Sequence, residues 1–494
     1  MRPDHMDEKT IKKGTLVNAL GIGGKALLPL LFILITRLFG PERMGIFFLA
    51  FVSMDIAFNI TLSGLKDGVI LFISKYSHKS DEKDKVYKIL ANALLITLGV
   101  SALIVLFYYI AGNVIALNRY PDGKLAGALS IMIWSLPVFA VVNMITSATR
   151  GLLVMKWDAI MIGFLRPFFF CLTVLTVALL KGRLNDLATG YLIANVLLLF
   201  LALLIFFRQF QLSKLLEAFR FPLWDRSLLK FIIPQNLNTT FNTLITNLDV
   251  MMLGLFKTDP VLIGYYGMGA QIVRNVRQIK VAFAGILGPI VTRLRKDRNY
   301  PEMERLFSRI VSWTISIAFP VLFVVGVFRS ELLQLFHKSF SGEALFMLVL
   351  LIPPFLSCLM GMAGDIIVMT GHVTWNLINS ATVALLNCIL NYFLIPEWGL
   401  MGAAVATAVS ATIVYLLQLF EAHVLLSVQL RVNIALRPFL YLILPAITYA
   451  LLSAYLPGKD ILLRIIKTAL PLLLYIPVAM MDQKKIKQKH QSAE

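Results

Sequence analysis

Between residues 228 and 292, two consecutive apolar stretches carry side chains that lipid-facing stretches tolerate badly. In the first, Gln235, Asn238, Asn242, Thr246 and Asp249 follow one another at spacings of 3, 4, 4 and 3. On a helix turning about 100° per residue, that spacing gathers them within an arc of roughly 80°. Asn236, Thr240, Thr243 and Asn247 widen the face. Such a stripe either hydrogen-bonds to neighbouring helices or lines a wet cavity, and the spacing leaves both readings open. The second stretch holds Gln271, Arg274, Arg277, Gln278 and Lys280 with no acidic neighbour among them. Either these cations snorkel from a tilted helix, or they form a basic surface for an anionic guest.

Earlier stretches add to this set. The first apolar run places Thr15, Asn18 and Lys25 on one side, with Gly21, Gly23 and Gly24 permitting close backbone approach. In the second, Asp55, Asn59 and Lys66 fall within about 40° of arc. A facing ion pair would explain them as well as a cavity would. If the first, second, seventh and eighth runs meet, Lys25, Lys66, Arg274, Arg277 and Lys280 line one basic cavity. Gln235, Asn238 and Asn242 would complete its polar wall. Phosphate suits such a site: lysine meets it as a point charge, arginine in bidentate fashion.

The acids Asp55, Asp249 and Asp365 lie on three different runs. They are candidates for ion coupling, and their scatter argues against clustered catalysis. A mover of substrates is therefore expected rather than an enzyme. No cofactor and no metal site is expected either. The three cysteines, Cys171, Cys358 and Cys388, sit inside apolar runs and read as small buried hydrophobes.

The elements that must position these residues are membrane helices. Of 494 residues, 58% are hydrophobic and only 15% charged, against about 25% charged in soluble domains. The mean hydropathy is +0.80. Apolar blocks of roughly twenty residues or more alternate with short charged segments, as membrane spans do. The spacing predicts about fourteen transmembrane helices in an all-α polytopic membrane protein. The first run continues to about Leu38 without a cleavage site, so it reads as a retained helix rather than a signal peptide. The formal net charge of +19 is carried mostly at helix ends, which argues against a nucleic-acid partner. Lysine and arginine concentrate in alternate loops, for example at Lys75, Lys83 and Lys88, and again at Arg293, Arg295 and Lys296. By the positive-inside rule both termini are then cytoplasmic.

The chain divides into an N-terminal lobe of six helices (1–211), a cytoplasmic amphipathic linker (212–227), a C-terminal lobe of six helices (228–430), and a last helix pair with a basic cytoplasmic tail (431–494). The linker mixes Leu212, Leu215, Leu216 and Phe219 with Lys214, Glu217 and Arg220, and reads as a surface helix or as a solvated connector. The halves repeat one another. Arg150-Gly151 followed by Trp157-Asp158 has its counterpart in Thr370-Gly371 followed by Trp375-Asn376. Both halves start on the same side, so the lobes form a parallel pseudo-twofold repeat.

Three segments carry a resemblance to a known family: LITRLFGPERMGIFFLAF across the first two helices, GYYGMGAQIVRNVRQIKVAFAGILGPIVTRL in the eighth, and GHVTWNLINSATVALLNCILNYFLIPEWGLMGAAVATAVS across the eleventh and twelfth. With these the chain resembles the polysaccharide exporters and lipid-linked oligosaccharide flippases of the multidrug/oligosaccharidyl-lipid/polysaccharide exporter superfamily. The resemblance implies a V-shaped pair of lobes, alternating access, and a cationic cavity for a pyrophosphate-linked sugar headgroup whose polyprenyl tail stays in lipid. It implies a flippase of the bacterial cytoplasmic membrane, with membrane lipids and polysaccharide-assembly proteins as partners. Lipid II flippases, which use cations in helices 1, 2 and 8, are the nearest alternative. A cation-coupled multidrug antiporter is a further one, but acidic rather than basic cavity residues would be expected there.

Overall fold

The structure is a computed structural model. It describes residues 27–77, 82–281 apart from 155 and 221–225, scattered positions from 283 to 297, 300–426 apart from 341, 343 and 371, and parts of 447–475. Lys25, most of the expected last helix pair and the basic tail lie outside the described residues.

All regular structure among the described residues is helical. The elements are α1 (Leu27–Phe39), α2 (Pro41–Ser77), α3 (Asp84–Arg119), α4 (Lys124–Gly151), α5 (Lys156–Leu179) and α6 (Leu184–Gln209). They continue as α7 (Arg226–Leu255), α8 (Pro260–Asn275), α9 (Tyr300–Val327), a bent α10 (Leu345–Leu359 and Met362–Met369) and α11 (Val373–Leu426). Seven of the described helices are long and apolar enough to cross a membrane, or eight if the two arms of α10 count as one span. With seven such helices, the molecule is a multi-pass membrane protein. The total of fourteen spans is not reached among the described residues.

The 54 residues of α11 would extend about 80 Å if straight, far beyond a bilayer. They are two helices joined at Gly399, whose backbone turns through φ +56°. Asn387 donates to the hydroxyls of Thr407 (3.1 Å) and Ser410 (3.2 Å), and Asn379 to Glu421 (2.6 Å). Contacts between residues this far apart in sequence require the second helix to run back along the first.

Packing sorts the chain into two compact units. The first contains residues 1–268, 333–340 and 391–403; the second contains 269–332, 341–390 and 404–494. The first unit's core is aromatic. Phe32 meets Phe48 and Phe51 edge-on at 5.4 Å, and Phe170 meets Tyr191 likewise at 5.2 Å, a geometry favoured by the ring quadrupole. Within this unit α7 packs along α2. A side chain at Gly64 of α2 would collide with the backbone of Ile232 and Asn236 on α7, so glycine is what lets the two backbones approach. The second unit's core joins Phe307, Val311 and Ile315 of α9 to Cys358, Met362 and Ile366 of α10. Cys358 is buried, Cys171 and Cys388 are partly buried, and all three are free.

The linker forms a short helix, Leu212–Arg220, in the first unit. Leu215 and Ala218 are buried against α3, Leu212 and Leu216 face outward, and Lys214 lies 3.7 Å from Asp84. The stretch is thus helical, with one face packed on α3 and the other exposed.

Candidate functional site

In the first unit, the polar stripe of α7 divides into two kinds of residue. One kind is spent on helix packing. Gln235 Nε2 donates to Asp67 Oδ2 (2.9 Å), Asn236 Nδ2 to the Ile60 carbonyl (3.0 Å), and Asn247 Nδ2 to Asp55 Oδ2 (2.8 Å). These bonds give the buried Asn247 and the partly buried Gln235 and Asn236 partners on α2 and hold the two helices in register. The other kind is open. Asn242 is exposed and donates back to the Asn238 carbonyl (2.8 Å), so its outer face is available to solvent or a guest. Of the two readings left open by the spacing, helix packing describes Gln235, Asn236 and Asn247.

Asp249, at the end of the stripe, is 5% exposed. Its Oδ2 accepts from Tyr266 Oη (2.8 Å) and its Oδ1 from Asn391 Nδ2 (3.2 Å). Both carboxylate oxygens are thus used, which is how a charge survives at this depth. Asp55 is held by Asn247 alone among the bonds just described. Lys66 reaches Asp158 Oδ1 at 3.9 Å, the edge of ion-pair distance, while Arg150 takes Asp158 Oδ2 at 3.1 Å. The Lys66 ammonium is therefore loosely held and a third exposed.

The second unit carries the cations of the eighth span. Arg274 bonds within its own helix, to the Ala270 carbonyl (3.3 Å) and Gln271 Oε1 (3.0 Å). Lys280 is committed elsewhere: its Nζ lies 2.8 Å from Asp365 Oδ2. Two residues with separate expected roles, binding and ion coupling, are thus one ion pair. Arg277 is exposed and makes no hydrogen bond or ion pair among the described residues. It is the most available of these charges for an anion arriving from outside.

Several participants were not singled out in the sequence. Asp67 stands beside Lys66, and its spacing from Asp55 and Asn59 does not set it apart. Tyr266 looked like an ordinary aromatic of an apolar helix. No group of His, Cys, Asp and Glu among the described residues is arranged to hold a metal.

Comparison with known proteins places this chain. The sequence profile of a family described as polysaccharide biosynthesis protein matches residues 11–295, more than half of the chain. A probable low-salt glycan biosynthesis flippase, Agl15 of Haloferax volcanii, is 27% identical over 175 residues, covering 33% of this chain and 34% of that protein. The chain thus spans about a third of the length of that curated relative. Among solved structures, the lipid II flippase MurJ in an inward closed conformation matches with a TM-score of 0.71 at 16% identity, over 96% of this chain and 99% of that one. An inward-facing multidrug resistance transporter of the MATE family matches with a TM-score of 0.66 at 15% identity, over 83% and 98%. At such identities the likeness establishes the fold alone.

Proposed function

The chain belongs to the polysaccharide biosynthesis protein family, and from that premise we propose that it is a flippase for a polyprenyl-pyrophosphate-linked oligosaccharide, moved by alternating access across the bacterial cytoplasmic membrane. The observation that carries the substrate class is Arg277, an exposed cation in an apolar stretch with no acid holding it among the described residues. A guanidinium there is costly unless an anion visits. A pyrophosphate presents the oxygens that a guanidinium fork accepts in bidentate fashion. In this reading Lys25, Lys66, Arg274 and Arg277 bind the pyrophosphate, and Asn238 and Asn242 offer hydrogen bonds to sugar hydroxyls. Asp55 and Asp249 are the ion-coupling acids. Lys280 and Asp365 hold the second unit together as a pair. The two six-helix lobes, the cytoplasmic termini, partnership with polysaccharide-assembly proteins and the absence of catalysis belong to the same proposal.

A lipid II flippase is the second reading, favoured by the extent of the fold match. Both substrates share the pyrophosphate and differ in the sugar. Replacing Arg274 and Arg277 together by Ala should abolish surface-polysaccharide export while leaving the protein's membrane abundance unchanged. Undiminished export in that variant would remove the substrate assignment. Restored peptidoglycan synthesis in cells depleted of their own lipid II flippase would select the second reading over the first.

A further inference from the structure

A second cation in the first unit has no role in this scheme. Arg166, in α5, donates from Nη2 to Tyr191 Oη at 3.0 Å, and its guanidinium lies over the Phe139 ring (3.8 Å to the centroid) and near Phe58 (5.4 Å). No carboxylate comes within ion-pair distance of it among the described residues. Asp55 lies near enough to act on Tyr191 electrostatically, but its Oδ2 is taken by Asn247. Arginine stays charged in proteins, so this membrane-depth cation has rings and one hydroxyl where a counter-ion would be expected.

Beside it is a small cavity of about 60 Å³, walled by Phe51, Ile162 and Phe170 and reached by Arg166, Tyr191 and Asn195. Local structure opens it. Pro167 has no N–H for the preceding turn, and the chain just before it, Ala159–Leu165, is π-helical. Wide turns of this kind accommodate such misfits and recur at functional sites. The cavity also holds an unsatisfied acceptor. Asn195 is 1% exposed and donates to the Tyr191 carbonyl at 2.8 Å, yet its Oδ1 has no partner among the described residues. A buried orphan acceptor calls for a bound group or water.

We propose that this cavity is a binding site for a small monovalent anion, chloride in the cell, held together with one water molecule. The anion accepts from the free N–H groups of Arg166 and from the Tyr191 hydroxyl. The water donates one hydrogen to Asn195 Oδ1 and the other to the anion. Every polar group then has a partner, and the guanidinium has its counter-charge. The volume holds an ion and a water but not a sugar ring, which separates this site from the substrate residues. The aromatic walls keep bulk water out and strengthen the ion pair.

The test is equilibrium binding of radiolabelled chloride to the full-length protein in nanodiscs, with gluconate as the inert counter-anion. The wild type should bind chloride saturably. Arg166→Gln should abolish binding, and Tyr191→Phe, which loses one donor, should weaken it about fivefold. Asn195→Leu, which fills the cavity, should also abolish it. Arg277→Ala should bind like the wild type, because that cation belongs to substrate recognition. The proposal is overturned if the wild type binds no chloride saturably, which would mean that the cavity holds water only. It is equally overturned if Tyr191→Phe and Asn195→Leu both bind as the wild type does, whatever the fate of the Arg166 variant. Loss of binding in Arg277→Ala alone would place the ion elsewhere and would also contradict it. None of these outcomes depends on which sugar is carried.

Discussion

Lys280 and Arg277 stand three residues apart on one chain segment and have opposite fates. Lys280 finds Asp365 at 2.8 Å, and Arg277 finds no acid among the described residues. Removing one member of a partly buried pair strands the other's charge, whereas replacing both with apolar side chains removes the desolvation cost with the attraction. Lys280→Met alone should therefore destabilise the protein by about 2 kcal/mol, discounted from the fully buried case because the two side chains remain 16% and 27% exposed. The double variant Lys280→Met/Asp365→Leu should recover most of that loss. Thermal unfolding in detergent, followed by light scattering or tryptophan fluorescence, checks both. A double variant less stable than the single one would contradict the pairing.

At this scale the sequence was informative about type and silent about partners. That Gln235, Asn247 and Asp249 lie on one face follows from helical period. That Gln235 meets Asp67 while Asn242 meets only its own helix depends on how α7 sits against α2, and no local spacing encodes that. Asn387 and Asn391 are polar residues within an apolar run. Their partners, Thr407, Ser410 and Asp249, became visible only once the chain folded back on itself.

The elements depend on a few backbone positions. Gly399 turns α11 back at φ +56° and ψ −126°, a combination that side chains with a Cβ resist. Open space surrounds it, so the cost of a substitution there is conformational rather than steric. Gly99, inside α3, also has open space around it, but with helical backbone. Gly399→Ala should destabilise by about 1–3 kcal/mol, and Gly99→Ala should be neutral or stabilising by up to about 1 kcal/mol. The two thermal midpoints should move apart from the wild type in opposite directions, or the first alone should fall. Equal losses would refute the turn at Gly399. The break itself was legible as Pro396, Trp398 and Gly399 between two apolar runs. The amphipathic linker was legible too, although its docking on α3 through Leu215 depended on packing.

All regular structure among the described residues is helical, and the fold matches a solved structure over 96% of the chain. Hydropathy and loop charge gave its class and its expected orientation, because burial in lipid imposes one simple rule on every span. A cytoplasm-active reporter fused after Glu494 should be active and a periplasm-only reporter silent, with the reverse refuting the orientation. Substrate identity lies beyond that rule, since it rests on a handful of charges whose pairing is set by tertiary contact. The most direct measurement reconstitutes the purified protein in liposomes carrying a fluorescent polyprenyl-pyrophosphate oligosaccharide in both leaflets, and follows its accessibility to an external sugar-cleaving enzyme. The protected half of the substrate should become accessible with the wild type and stay protected with Arg274→Ala/Arg277→Ala. Equal protection with the wild type and with protein-free liposomes would contradict it.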